Sequence, residues 1–500
     1  MSVLDSLQPT KVFYFFEELC AIPHGSRNTK LISDYVVSIA KRKGLEYYQD
    51  DHNNVIVYKP ACDGTGNKDI TGIIDNTPVI LQGHLDMVCE KTDDSDFDFS
   101  CEGLRLYIED GYIKAEGTTL GGDDGIAVAY MLALLDSDDI MHPPLECVFT
   151  VDEEIGMLGA VALDKSRMKG KKLLNIDSED EGHLLVSCAG GATAELHFPV
   201  LRRGTQGERY RITISGLVGG HSGVEINKGR ANADILMGLA LRDILFADDS
   251  LRVVSVRGGL KDNAIATRCE AVVISKRGEE LPGIIQDIEA DILAEYGEAD
   301  PDIKITFDPI DRENMAELDP SEKLYALDEV NNLSFIMAFS SMPYGVQAMS
   351  TSIEGLVQTS LNLGILNTYE NEIVMSFSVR SSVETEKQEL ITTISDIARS
   401  AGGYAKVEGE YPAWEYKEES ELRSVMTSTY EKMFGKQMVV EAIHAGVECG
   451  LFVDGIDGLD AVSFGPNILD IHTPKERLDI DSVIRTWDYI LEVLQKLSRS

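Results

Sequence analysis

Five hundred residues exceed what one hydrophobic core ordinarily organises, so two domains are expected. With 43% apolar and 26% charged residues the composition is that of a globular protein, and a formal net charge of −40 argues against nucleic acid or anionic membrane as a partner. No stretch approaches the roughly 18 apolar residues of a membrane span, the N-terminus has no basic flank leading into an apolar core, and the eight cysteines are scattered without a CxxC, so a reducing cytoplasm is expected.

In chain order, apolar spacing predicts helices over Lys11 to Cys20 and Lys30 to Lys43, then strands over Asn54 to Tyr58 and Thr77 to Leu81. Gly125 to Leu135 reads as a buried helix of small and apolar residues. Leu145 to Val151 and Lys172 to Ile176 read as strands. This alternation predicts an α/β fold with a mixed, largely parallel central sheet. The pattern changes near Gly190. Strands are expected over Arg209 to Gly216, Arg252 to Arg257, Glu270 to Ser275, Lys304 to Phe307 and Ile373 to Val379, and helices over Arg230 to Leu245, Leu281 to Tyr296 and Glu384 to Ser400. That is an α+β layer. Buried α/β character returns with a helix over Glu421 to Phe434, strands over Met438 to Ala442 and Ala461 to Phe464, and a last helix over Asp481 to Leu497. The expected division is a catalytic domain from 1–190 and 412–500, interrupted by an inserted α+β domain over 191–411.

Polar residues at the ends of apolar strands are where such sheets place chemistry. Leu81 leads into His84-Leu85-Asp86, an imidazole and a carboxylate at i and i+2, on one face if the strand continues. A neutral imidazole is a good zinc ligand, and a neighbouring carboxylate can fix its tautomer. Taken alone, His84 is equally well a surface histidine at a strand end. Gly121-Gly122-Asp123-Asp124-Gly125 places an aspartate able to bridge two cations in a glycine-rich turn, although an N-cap accounts for that string at least as well. Glu153-Glu154 ends the next strand. Adjacent carboxylates repel, a cost met if one binds metal and the other holds a proton; with 85 acidic residues in the chain, a solvated acidic turn is the competing reading. Asp177 and His472 are further candidate ligands, each also readable as a loop residue. The ordered set points to a pair of divalent metals in a hydrolase.

At this level of detail the chain resembles the aminoacyl-histidine (Xaa-His) dipeptidases, a branch of the di-zinc metallopeptidases that includes carnosinases and tripeptidases. The likeness runs nearly end to end, through Ile22 to Ser26, Gly83 to Val88, Thr118 to Gly125, Asp152 to Gly156, Asn175 to Gly182, Ser187 to Gly191, Gly216 to Gly223, Ile443 to Phe452 and the His472 loop. The resemblance implies that His84 and Asp177 hold one ion, Glu154 and His472 the other, and Asp123 both. It implies Glu153 as general base and later acid toward the leaving amine, with Asp86 orienting His84. In the inserted domain it implies His221 as an oxyanion-stabilising histidine, Arg380 as a clamp on the substrate carboxylate and Asn263 as a further substrate contact. It also implies a cis peptide between Asp123 and Asp124.

Two residues depart from the branch's pattern. Asp124 stands where Asn is common, an extra carboxylate expected either to change metal preference or to face solvent. Asp152 stands where some relatives carry Thr, and is expected to raise the pKa of Glu153. The resulting expectation is a cytoplasmic homodimer with two divalent ions, zinc first and manganese or cobalt as alternatives. It would hydrolyse dipeptides of the Xaa-His type, including β-alanyl-histidine, with closure of the inserted domain onto the substrate. A tripeptidase, an N-acyl amino acid deacylase and a non-catalytic metal or peptide binder are the competing functions.

Overall fold

The computed structural model describes residues 3–65, 77–310 and 325–499. The chain divides into two compact units: 1–188, 416–442 and 447–500 form the first, and 189–415 with 443–446 the second.

The first unit is built on an eight-stranded sheet. Its strands lie in the order Glu46–Gln49, Val55–Lys59, Leu145–Thr150, Val79–His84, Lys172–Asn175, Asp460–Ser463, His183–Cys188 and Val439–Ile443. Val79–His84 runs parallel to both neighbours, and Asp460–Ser463 runs parallel to Lys172–Asn175. The pairs at Glu46–Gln49, Val55–Lys59 and His183–Cys188 are antiparallel. Every residue of Val79–His84 and Leu145–Thr150 is buried. A strand covered on both faces needs no polar alternation, which is why the apolar stretches 79–81 and 147–149 show none; Gln82, Glu146 and Thr150 are buried beside them. The helix Gly122–Asp136 has all side chains from Ile126 to Leu135 buried, as a helix apolar on every face must. It packs against Val79–His84 and the helices Thr10–Cys20 and Lys30–Lys43. The last helix, Ile480–Leu497, is amphipathic. Its Trp487 stacks on Tyr130 of Gly122–Asp136 with centroids 5.9 Å apart, and the Tyr130 hydroxyl donates to the Val483 carbonyl at 2.9 Å.

The second unit carries a nine-stranded sheet. The order is Lys304–Pro309, Glu208–Ser215, Cys269–Ser275, Arg252–Gly258, Val357–Thr368, Glu372–Ser381, Gly190–Pro199 and Tyr404–Tyr411, with Gly345–Met349 paired to Val357–Thr368. The neighbouring strands with recorded register are all antiparallel. The helices Ala233–Ala247, Leu281–Tyr296, Glu329–Ser340 and Glu384–Ser400 contribute their buried apolar residues to one core with the sheet. Among the described residues no helix is long and apolar enough to cross a membrane.

Candidate metal centre

The C-terminal ends of the parallel strands carry the site. His84 is the last residue of Val79–His84, Asp177 follows Lys172–Asn175, and Glu153 and Glu154 follow Leu145–Thr150. Asp123 sits at the start of Gly122–Asp136 with non-helical torsions, and the peptide bond to Asp124 is cis. His472 enters from the loop before Arg477–Asp479 with a positive φ of 59°.

These side chains converge. His84 Nε2 lies 3.1 Å from Asp123 Oδ1 and 3.5 Å from Asp177 Oδ1. His472 Nε2 lies 3.1 Å from Asp123 Oδ2 and 3.1 Å from Glu154 Oε2. The two oxygens of Asp123 therefore serve the two histidines separately. Three sets offer ligand atoms within 4.8 Å of one another: His84, Asp123 and Asp177; Asp123, Glu154 and His472; His84, Glu153 and Glu154. Ligands at the corners of a tetrahedron with bonds of about 2.0–2.1 Å lie roughly 3.3 Å apart, close to these spacings. Glu154 Oε1 is buried and has no hydrogen-bond partner, the state of an oxygen shaped for a cation. The donor set of two imidazoles and several carboxylates suits zinc, manganese or cobalt.

The charges interlock. Burial lowers the affinity of His84 for a proton, but the carboxylates of Asp123, Asp177 and Asp86 outweigh it and hold the imidazole well above its usual range. Hydrogen bonds to Asp123 and Glu154 push His472 up to about 10. Burial lifts Asp177 to about 6. Glu153 is also held well above the usual carboxylate range, by burial first and then by the like charges of Asp177, Glu448 and Glu154, with His84 opposing.

Asp86 divides its work. Its backbone carbonyl lies 2.9 Å from His84 Nδ1, while its carboxylate oxygen stands 3.7 Å away, too far for a hydrogen bond. The carboxylate instead accepts from Ser26 Oγ at 2.8 Å and from the Glu153 backbone N–H at 3.1 Å. A proton on Nδ1 leaves the Nε2 lone pair facing Asp123 and Asp177.

The departures resolve differently from expectation. Asp124 does not face solvent: it is 1% exposed, and its Oδ2 accepts from the His84 backbone N–H at 3.1 Å. Asp152 accepts from the Arg27 backbone N–H at 2.5 Å, and the carboxylates that raise Glu153 are others. One of those, Glu448, escaped the sequence reading although it lies in the Ile443 to Phe452 stretch. Fully buried, it accepts from Gln82 Nε2 at 2.5 Å and Thr150 Oγ1 at 2.7 Å. Glu476 also escaped notice. Its carboxylate meets the backbone amides of 120–123, and burial pushes it up to about 7 while those amides pull it down. Neither glutamate carries a spacing signal, because each acts on groups remote in sequence.

His221, Asn263 and Arg380 lie in the second unit. The short strands Gly220–His221 and Ala264–Ile265 pair with His221 opposite Ala264, which brings Asn263 alongside. The Gly223 amide is 3.0 Å and the Val224 amide 3.3 Å from His221 Nδ1, so that nitrogen accepts and Nε2 carries the proton. Burial, then Arg380, lowers the pKa of His221 and keeps it neutral. Arg380 pairs with Gly191 across one strand boundary, and Gly191 pairs with Tyr411 across the next. A Cβ at Gly191 would fall 2.4 Å from Tyr411 Oη, so only glycine leaves room for that oxygen to accept from Arg380 Nη1 at 3.2 Å. The Arg380 Nε is buried without a partner.

Comparison with known proteins adds four findings. Residues 80–496 match the family model for peptidase family M20/M25/M40. The chain is 32% identical over 501 residues to the cytosol non-specific dipeptidase of Escherichia coli K12, covering 99% of each. It superposes on the crystal structure of aminoacylhistidine dipeptidase from Vibrio alginolyticus with a TM-score of 0.90 and 34% identity, covering 99% of this chain and 98% of that one. Aminopeptidase PepT from Bacillus cereus, at 16% identity and a TM-score of 0.55, shares the fold.

Proposed function

The chain belongs to peptidase family M20/M25/M40, and from that premise we propose that it is a metallodipeptidase whose two divalent ions are held by His84, Asp123, Glu154, Asp177 and His472. The observation that carries this reading is the convergence of those five side chains at the parallel strand ends, with spacings of 3.1 to 3.5 Å between their ligand atoms. His84 and Asp177 would hold one ion and Glu154 and His472 the other, with Asp123 shared between the two sets. Bound there, the ions supply Lewis acidity, polarising the scissile carbonyl and lowering the pKa of water.

The remaining chemistry belongs to side chains. Glu153 takes the proton from the attacking water and passes it to the leaving amine; its raised proton affinity suits both halves of that exchange. Asp86 holds Glu153 through its amide and His84 through its ring. In the second unit His221 offers its Nε2 proton to the developing oxyanion, Arg380 grips the substrate carboxylate as a bidentate fork, and Asn263 makes a further substrate contact. The metal centre would hold the substrate's free amine and Arg380 its carboxylate, and anchoring both ends limits its length to two residues. A preference for C-terminal histidine, drawn from the name of the V. alginolyticus relative, a cytoplasmic location, drawn from that of the E. coli relative, and a homodimeric assembly, drawn from the family resemblance, complete the proposal.

Removing metal and reloading tests the core of it. Chelator-stripped protein should lose dipeptide hydrolysis and regain it on uptake of two ions per chain, with zinc, manganese and cobalt compared singly. Full activity in stripped protein would refute the assignment.

A further inference from the structure

Glu476 ties together two loops that the fold brings in from distant parts of the chain. It lies four residues after His472 and is 3% exposed. Its Oε2 accepts from the backbone N–H groups of Leu120 at 2.8 Å and Gly121 at 3.2 Å, and its Oε1 from those of Gly122 at 2.8 Å and Asp123 at 3.4 Å. Four consecutive amides thus close on one carboxylate at the start of Gly122–Asp136, where the helix leaves its N–H groups unpaired and favours negative charge. The fit depends on glycine. A Cβ at Gly122 would stand 3.2 Å from Glu476 Oε1, and Gly121 takes a φ of 66°.

The last of those amides belongs to Asp123, whose carboxylate points one oxygen at His84 and the other at His472. We propose that Glu476 is a positioning residue for the metal centre: it fixes the backbone of Asp123 and, through the short 472–476 segment, holds His472 in register with it. This rests on the two-ion reading above. A carboxylate that only capped the helix would stabilise the fold without affecting metal. One that positions Asp123 and His472 sets the affinity of the ion those two share, as groups behind metal ligands do.

The experiment compares wild-type protein with E476Q, E476A and, as a control, Y130F. The control removes the hydrogen bond by which Tyr130, in the helix that begins at Asp123, reaches Val483 of the last helix. Each protein is stripped, titrated with zinc against a competing chelator, melted without metal, and assayed on a dipeptide at several free zinc concentrations. Gln keeps the size of Glu and one acceptor oxygen. E476Q should therefore remain folded, bind the second ion about 10–100-fold more weakly, lose kcat at limiting zinc with KM little changed, and recover as zinc is raised. E476A, if it folds, should show a larger loss of the same kind. Y130F should lose melting temperature with both ions still bound at wild-type affinity. Wild-type uptake of two ions with E476Q matching it in affinity and zinc dependence would overturn the inference alone. Wild-type uptake of fewer than two would overturn the two-ion reading and the inference with it.

Discussion

Within the Glu153-Glu154 pair, one backbone step separates two different electrostatic positions. Glu154 Oε2 meets His472 at 3.1 Å, so its charge is matched by an imidazole and, in the proposed reading, by an ion. Glu153 faces His84, but burial and three neighbouring carboxylates outweigh that imidazole and favour its protonated form. Replacing each by Gln should separate the roles. E153Q should retain both ions, checked by elemental analysis, and lose activity by a factor of about 10²–10⁴, because an amide cannot accept the proton. E154Q should weaken one ion and recover activity when metal is added in excess. Near-normal turnover in E153Q would displace it as the base.

At the scale of elements, close packing behind the strand ends sets the ligand geometry. A Cβ on Gly83 would fall 2.4 Å from Asp124 Oδ2 and 2.8 Å from Ala127 Cβ. G83A should therefore cost about 1–3 kcal/mol by denaturant unfolding and weaken metal binding, since Asp124 also bonds the His84 amide. The second unit carries a different liability. Asp234, in the first turn of Ala233–Ala247, is fully buried, and neither carboxylate oxygen meets a nitrogen or oxygen donor. Burial pushes its pKa up to about 8, offset in part by the Cys269 thiol. A folded pKa above the unfolded one means that the native state binds the proton more tightly. The contribution is complete below the ordinary value near 4 and is lost as pH rises to about 8. D234N, neutral throughout, should gain melting temperature relative to wild type across that window, and an advantage that shrinks from pH 5 to 8 would contradict the argument.

The elements also show what could be read in advance. The parallel strands and the Gly122–Asp136 helix were legible because full burial writes mostly apolar stretches with no polar alternation. The strand Gly190–Pro199 was not, since its Gly-Gly-Ala start has little strand preference of its own and pairing on both sides imposes it. Likewise the four-stranded sheet of Leu106–Glu109, Tyr112–Ala115, Ile468–Leu469 and Arg477–Asp479 joins short segments from opposite ends of the chain. In the site, His84, Glu153, Glu154 and Asp177 stood out by their places after apolar runs, Asp123 by its glycine turn, and His472 as an imidazole in a late loop before the last helix. Glu448 and Glu476 could not, because what marks them is the set of buried donors they meet.

For the whole molecule, substrate length is the proposed discriminator. A substrate fixed by its amine end and by its C-terminal carboxylate is measured by the distance between them, and one added residue displaces an anchor by about 3.3–3.6 Å. The proposed homodimer is checked separately by sedimentation equilibrium, where a mass of one 55.0 kDa chain would count against it. The most direct test of the central claim is a comparison of kcat/KM on metal-loaded protein for Xaa-His, Xaa-Ala, Xaa-His-Ala and N-acetyl-Xaa-His. The account predicts efficient cleavage of the two free dipeptides, Xaa-His ahead of Xaa-Ala, and a loss of at least about 10²-fold on the tripeptide and the blocked peptide, each of which forfeits one charged anchor. Equal rates on Xaa-Ala would remove only the histidine preference, whereas equal rates on the tripeptide or the N-acetylated peptide would contradict a dipeptidase that holds its substrate at both ends.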